Sequence, residues 1–328
     1  MALTVTSAFK QMCDNHINLN ADQVNKARNS RDWLLANLNI LSDRQLIPKV
    51  YAEKNIKFGS FARNTKIRPL NDIDLMLCLS GYDGHYEIVR DNEEYTVNFE
   101  NPPKQFRSLC EDGILNSRKV VENIKLQLAS LAGYVRADIH RNQEAVTLQL
   151  LSYPWNFDIV PCFFTTTDFY LIPAGNGNWK NTDPRIDNNR TSSTNTQKDG
   201  KVLQWIRIMK YWKSLYGNPW KTLSSYVFEQ MLLDVAEIMD FGQCISRLIY
   251  IAFTQLSYSI AKPVYDPKGI QGDMNNIALT NRLEMITYIK EHETIAFQTT
   301  LDEIYYKNQE KAIEGWKQIF GQAFPDYG

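Results

Sequence analysis

Two short clusters carry the residue types best suited to chemistry. Phe58-Gly59-Ser60 comes first, and after eleven intervening residues Asp72-Ile73-Asp74-Leu75 follows. The second cluster opens an apolar run, Ile73 to Leu79, of strand length. On a strand, residues two apart share a face, so Asp72 and Asp74 would project together. Like charges held that close repel, and a cation between them relieves the repulsion. Hard divalent ions such as Mg²⁺ take carboxylate and phosphate oxygens, which suits this pair. Upstream, Gly59 lets the backbone approach a ligand closely, and Ser60 is placed to open a short helix whose N–H groups face a phosphate. A third carboxylate, Asp158, interrupts the apolar run Trp155-Asn156-Phe157-Asp158-Ile159-Val160-Pro161. A buried unpaired charge costs several kcal/mol, roughly, so Asp158 requires a partner, and with Asp72 and Asp74 upstream it reads as a third metal ligand.

The elements around these residues follow from hydrophobic period and punctuation. Residues 1 to 45 are helical, with Asn20 or Asp22 capping a helix that carries Val24, Ala27, Trp33, Leu34, Leu35, Leu38 and Leu41. Residues 47 to 80 hold both clusters as strand, turn, strand, and 81 to 100 read as loop and strand extension. Pro102-Pro103 starts a helix to about Leu115, and a second helix runs from Val120 to Leu131. Two strands follow, over Ala145–Leu151 and Trp155–Pro161. The polar, Gly- and Asn-rich stretch from Ala174 to Gly200 reads as the loop joining two lobes, with Asn178 and Asn181, whose amides carry donors and acceptors, placed to touch a substrate. Beyond it come helices over Lys201–Tyr216, Leu223–Met239, Cys244–Ile260 and from Thr280 onward. The loop Pro263–Ile277 interrupts them, and its tract Asp266 to Asn276 is a candidate lining of the cleft. The change from mixed strands to helices predicts an α+β chain with a mixed-sheet lobe and a helical lobe. The predicted divisions are 1–46 as an N-terminal helical segment along both lobes, 47–175, a connecting loop 176–200, and 201–328.

Composition narrows the class. At 328 residues the chain can bury a large core, and 44% hydrophobic with 22% charged residues describes an ordinary globular protein. A net charge of −1 argues against a surface coated for nucleic acid. The five cysteines (Cys13, Cys78, Cys110, Cys162, Cys244) form no Cys-x-x-Cys pair, and Cys78 and Cys162 fall in apolar runs as small core residues. The unpatterned set points to a reducing cytoplasm. The four histidines have no zinc spacing, no signal peptide is evident, and no apolar run spans a bilayer.

The order Gly-Ser, spacer, apolar-flanked Asp-x-Asp resembles the signature of nucleotidyltransferases related to DNA polymerase beta. Adding Phe157-Asp158-Ile159-Val160-Pro161, Arg207-Ile208-Met209-Lys210 and Leu223-Ser224-Ser225-Tyr226 makes the chain similar to the cGAS/DncV-like nucleotidyltransferases, the CD-NTases, from about residue 20 to 285. The segment Tyr170-Leu171-Ile172-Pro173 to Asp183-Pro184-Arg185 looks like the bacterial members. The resemblance implies a bilobed nucleotidyltransferase whose lobes are joined by a long N-terminal helix. It implies that Asp72, Asp74 and Asp158 hold two Mg²⁺ ions, with Mn²⁺ able to substitute. One ion would lower the pKa of the attacking ribose hydroxyl, and the other would neutralise the triphosphate and leaving pyrophosphate. Asp158 would also accept the hydroxyl proton. Gly59 and Ser60 would hold the donor phosphates with Lys210 as a point charge, Ser225 would bond the same phosphates, and Tyr226 would stack on a base.

The implied activity is condensation of two or three NTPs into a cyclic oligonucleotide with release of pyrophosphate. It would be a second messenger that activates an effector protein in antiphage (CBASS) defence. A linear product, as oligoadenylate synthases make, and an inactive nucleotide-binding module are the alternatives. The chain departs from the vertebrate member in having no Cys or His between 163 and 243, where that enzyme carries a zinc insertion for DNA. A bacterial, cytoplasmic monomer without membrane or DNA partner, constitutive or gated by a protein, fits better. The last residues, Phe324-Pro325-Asp326-Tyr327-Gly328, read as a short exposed tail after a helix ending near Phe320, with Gly328 a candidate for conjugation to a partner.

Overall fold

Thr4 opens the first helix, α1 (Val5–Met12), in a capping box: its hydroxyl accepts from the Ser7 N–H at 3.1 Å. The structure, a computed structural model, describes residues 1–90 and 94–328. These residues group into two units. One comprises Met1–Leu19, Asn64–Pro69 and Asn189–Gly328, and the other Asn20–Arg63 and Leu70–Asn188.

In the strand-bearing unit, Asn20 caps α2 (Ala21–Asp43) by accepting from the N–H groups of Asp22 and Gln23. Ala27, Leu34, Leu38 and Leu41 form its buried stripe, and Trp33 sits to the side with its ring edge-on to Tyr134 at 5.1 Å. The chain then forms β1 (Ile56–Phe58), the single turn α3 (Gly59–Ala62), β2 (Asp72–Leu79), β3 (His85–Arg90) and β4 (Glu94–Asn98). Next come β5 (Cys110–Glu111), β6 (Ile114–Leu115), α4 (Ser117–Ala129), β7 (Asp138–Asn142), β8 (Ala145–Gln149), β9 (Asn156–Phe164), β10 (Tyr170–Pro173) and β11 (Trp179–Thr182). All lie in one mixed sheet in the order β1-β2-β9-β10-β11-β4-β6-β5, with β3 on β4, and β8 and β7 continuing from the first half of β9. Val120, Val121, Ile124 and Leu128 of α4 are buried on one face of the sheet. On the other face Ile56, Met76, Cys78, Ala145, Val160, Cys162 and Tyr170 form a separate apolar cluster, with Cys78 and Cys162 in register as expected of core residues.

The helix α5 (Pro184–Gln197) leads into α6 (Val202–Ser214), α7 (Ser225–Ile238), α8 (Ile245–Ser259), α9 (Leu279–Ile304) and α10 (Gln309–Phe320). With α1, helices α6 to α10 bury a single core in which Phe9 meets Trp316, Phe320 and Phe324 edge-on at 5.3, 5.7 and 5.0 Å. Among the described residues no helix is long and apolar enough to cross a membrane.

Three sequence expectations need correction. The helix expected from Pro102 to Leu115 is instead one 3₁₀ turn, Arg107–Leu109, and the β5–β6 hairpin. Asp112 and Gly113 take φ of +50° and +83°, the two positive values of the hairpin turn that Asp-Gly favours. The stretch 174–200 is not a connecting loop, since it carries β11 and α5. Pro184 starts that helix, the N–H of Arg185 bonds Asp183, and the buried positions Asp187, Thr191 and Thr194 are polar, so no apolar stripe announces it. The C-terminus is not a loose tail. Phe324 is buried, Tyr327 bridges Ala2 in parallel, the Ala2 N–H bonds Asp326 O at 2.8 Å, and Lys317 pairs with Asp326. Residues 81–100, read as loop and strand extension, form the β3–β4 hairpin where described.

Phe324→Ala removes the ring that Phe9 and Phe320 pack against. It should cost about 3–5 kcal/mol and lower the midpoint of thermal unfolding followed by circular dichroism. A midpoint equal to wild type would show that the terminal residues contribute nothing to the fold.

Candidate active site

Parallel pairing of β2 with β9 sets Asp72 opposite Asn156 and Asp74 opposite Asp158. Between and beyond them Ile73, Leu75, Phe157 and Ile159 are buried on the reverse face, which places the three aspartates on the same, partly open face. Strand β1 pairs on the other edge of β2 with Phe58 opposite Asp74, so Gly59 and Ser60 begin α3 directly beside that carboxylate. Gly59 has φ of +73°, and a Cβ there would fall 1.7 Å from Asp74 Oδ2. No other residue fits.

On the far side of Asp158, Thr147 of β8 stands in register and donates its hydroxyl to Asp158 Oδ1 at 2.5 Å. Thr147 is nearly inaccessible, so this bond holds one carboxylate oxygen in a fixed direction. Sequence reading missed Thr147. Its signal was a hydroxyl within the alternating run of β8, on the strand that precedes the lone aspartate.

The donor set consists of carboxylates alone, which suits a hard divalent cation rather than zinc or copper. Register brings the three together on one face. Among the described residues, however, no three His, Cys, Asp or Glu side chains converge in ligand geometry. The fit to a divalent ion therefore rests on the donor chemistry and the strand register.

No family model matches the chain. A protein of Bacillus cereus (strain VD146) described as a probable cyclic nucleotide synthase is 41% identical over 338 aligned positions, spanning 100% of this chain and 99% of that one. The chain belongs to the CD-NTase family of cyclic nucleotide synthases. It is a nucleotidyltransferase. The structure of Escherichia coli MS115-1 CdnC in complex with HORMA-deltaN matches it with a TM-score of 0.69, covering 97% of this chain and 98% of that chain at 16% identity. The same protein with ATP matches with a TM-score of 0.67 at the same identity and coverage. At that identity the likeness is one of fold, and it is the mixed α+β fold expected from the sequence.

The remaining residues that the CD-NTase resemblance singles out lie in the helical unit. Lys210 of α6 is buried, and its ammonium pairs with Glu229 Oε2 of α7 at 3.0 Å, an oxygen that also accepts from Thr65 at 2.8 Å. One turn on, burial pushes the Lys213 ammonium down to about 8, and the charge of Lys210 adds to the shift. Ser225 is the exposed first residue of α7, while its neighbour Ser224 makes the cap, accepting from the Val227 N–H at 3.1 Å. Tyr226 is half-buried. Its hydroxyl accepts from Lys268 at 2.5 Å, and the same ammonium lies 4.8 Å from the ring centroid. Lys268 is in turn paired with Asp266 at 2.7 Å. Burial alone would raise the Asp266 carboxyl, but the Lys268 side chain and backbone N–H groups outweigh it and hold it below its usual range.

Of the two asparagines expected to touch the substrate, the register decides one. Asn178 donates to Glu94 at 2.7 Å. Asn181 pairs in register with Leu171, which lies opposite Phe163, and so faces away from the aspartates.

Gly59→Ala should displace the Asp74 carboxylate and lower nucleotide turnover about 100-fold, while circular dichroism still reports a folded chain. Thr147→Val keeps the side-chain shape but removes the bond to Asp158. It should lower kcat about 10-fold with KM little changed, and Thr147→Ser should recover most of the loss. Equal rates for Thr147→Val and wild type would remove Thr147 from the site.

Proposed function

We propose that the chain condenses two or three NTPs into a cyclic oligonucleotide, using Asp72, Asp74 and Asp158 as the catalytic carboxylates. The observation that carries this reading is the register of Asp74 with Asp158 beside a glycine that no other residue can replace. Two Mg²⁺ ions, or Mn²⁺ in their place, when held by the three carboxylates would lower the pKa of the attacking hydroxyl and neutralise the triphosphate and pyrophosphate. Asp158 accepts the proton of the acceptor's ribose hydroxyl, with Thr147 keeping its carboxylate oriented. The hydroxyl oxygen forms a bond to the α-phosphorus. The bond from that phosphorus to the β-bridging oxygen breaks, and pyrophosphate leaves with the electron pair. A second such attack within the linear product closes the ring.

Gly59 and Ser60 hold the donor phosphates in this reading, and Lys210, Ser225 and Tyr226 are assigned to nucleotide binding by their match to the family motifs. The Lys210–Glu229 pair supports a modified role for Lys210: its charge is positioned by Glu229 rather than presented alone. By the same resemblance the product is a second messenger read by an effector protein in antiphage defence. The fold likeness to CdnC, solved in complex with HORMA-deltaN, supports a protein partner as the regulator.

The test is incubation with all four NTPs and Mg²⁺, followed by mass spectrometry of the phosphatase-resistant product. A cyclic di- or trinucleotide is expected, and a product degraded by phosphatase would identify a linear synthase. Asp72→Ala, Asp74→Ala and Asp158→Ala should each remove nearly all NTP consumption with the fold retained. Near wild-type turnover in any one of them would strike that residue from the catalytic set.

A further inference from the structure

The loop between α8 and α9 contains no helix, yet two aspartates tie it into one conformation. The Asp266 carboxylate accepts from the N–H groups of Lys268, Ile270 and Gln271 at 3.2, 3.3 and 3.2 Å, and from the Lys268 ammonium at 2.7 Å. Asp273 accepts from the Val264 and Asn275 N–H groups at 2.8 and 2.9 Å. The Asn275 amide in turn donates to the carbonyls of Ile260 and Lys262 at 3.0 and 2.7 Å, which fixes the loop to the end of α8. The product of this folding is an enclosed ammonium. The Lys268 side chain is 7% exposed and that of Asp266 0%, and the ammonium reaches the phenol oxygen of Tyr226 on α7.

We infer that Lys268, held by Asp266, is a positioning residue that keeps the Tyr226 ring in place for a nucleotide. This rests on the assignment of Tyr226 to nucleotide binding above. An ammonium only donates, so the phenol oxygen accepts from it, and Tyr226 is held at its hydroxyl as well as at the backbone of α7. A half-buried tyrosine in the first turn of a helix can otherwise change rotamer about its Cα–Cβ bond. Stability alone does not call for this lysine. Three backbone N–H groups already bond Asp266, and apolar side chains fill a buried site at least as stably as an ion pair does. What an apolar residue could not supply is a directed bond to one atom of Tyr226. A ring already in position loses no rotamer freedom when a nucleotide arrives, so the bond contributes to nucleotide affinity rather than to the chemical step.

Pyrophosphate release from the NTPs that the wild type consumes gives kcat and KM, and the midpoint of thermal unfolding is followed beside them. Asp266→Asn combined with Lys268→Met removes the ammonium without leaving a lone charge, and Tyr226→Phe removes the phenol but keeps the ring. The charge-balanced pair should raise KM about 10-fold with kcat within about twofold of wild type. Tyr226→Phe should raise KM by a similar factor, and all three changes together should raise it no further, because both variants break the same bond. A merely structural role for Lys268 would lower the midpoint and leave KM where it is. An unchanged KM in the charge-balanced pair or in Tyr226→Phe, or factors that multiply when the changes are combined, overturns the inference. Tyr226→Ala tests the assignment beneath it. A KM near wild type there removes Tyr226 from the nucleotide site, whereas a raised KM there with an unchanged KM in the pair strikes only the role of Lys268.

Discussion

The parallel pairing of β2 with β9 is the constraint on which the site depends. It places one carboxylate directly opposite another, and like charges held that close repel. What holds it is the reverse face of the same strands. Ile73, Leu75, Phe157 and Ile159 are almost wholly removed from water, and a slip of one residue would turn them outward and the aspartates inward. Further along both strands Met76, Cys78, Val160 and Cys162 bury the open face as well, so the strands are anchored at one end and polar at the other. The hydrophobic effect thus fixes a register that electrostatics alone would reject.

A second charged arrangement is settled differently. Glu229 and Lys210 lie buried together in the helical unit, where removing either partner of the ion pair would cost about 3–5 kcal/mol. Thr65 adds a hydroxyl to the same carboxylate, and Asn64 accepts from Arg207, so the spacer between the Gly-Ser and Asp-x-Asp clusters is itself built into the helical unit. A segment that reads as a turn of basic and polar residues is therefore a structural part of that unit. Arg68 reinforces this by donating to three backbone carbonyls, those of Asp14, Asn15 and Asn18.

The termini show the same economy of means. Ala2 and Tyr327 form an isolated parallel bridge, and Phe9 near the start closes on Phe324 near the end. The five residues at the C-terminus, which look too short to fold, are held because one of them, Phe324, completes an aromatic cluster begun at the opposite end of the chain.

The amino-acid sequence alone determined the elements whose signal is local. The cap at Asn20 or Asp22, the apolar stripes of α2, α4 and α6 to α8, the strands around Asp72, Asp74 and Asp158, and a backbone role for glycine at 59 were all legible because each rests on neighbours within a turn or a strand, whereas the cap at Asn116 was not read. Polar periodicity hid α5, and an Asp-Gly turn read as part of a helix hid the β5–β6 hairpin. Only the tertiary structure decided which strand lies beside which. Thr147 behind Asp158, Glu229 against Lys210 and Asn181 on the far face depend on how neighbouring elements dock, and the meeting of Asp74 with Asp158 joins segments far apart in the chain. A strand's pattern states which of its residues share a face, but the partner that face meets is set by the packing of the whole sheet.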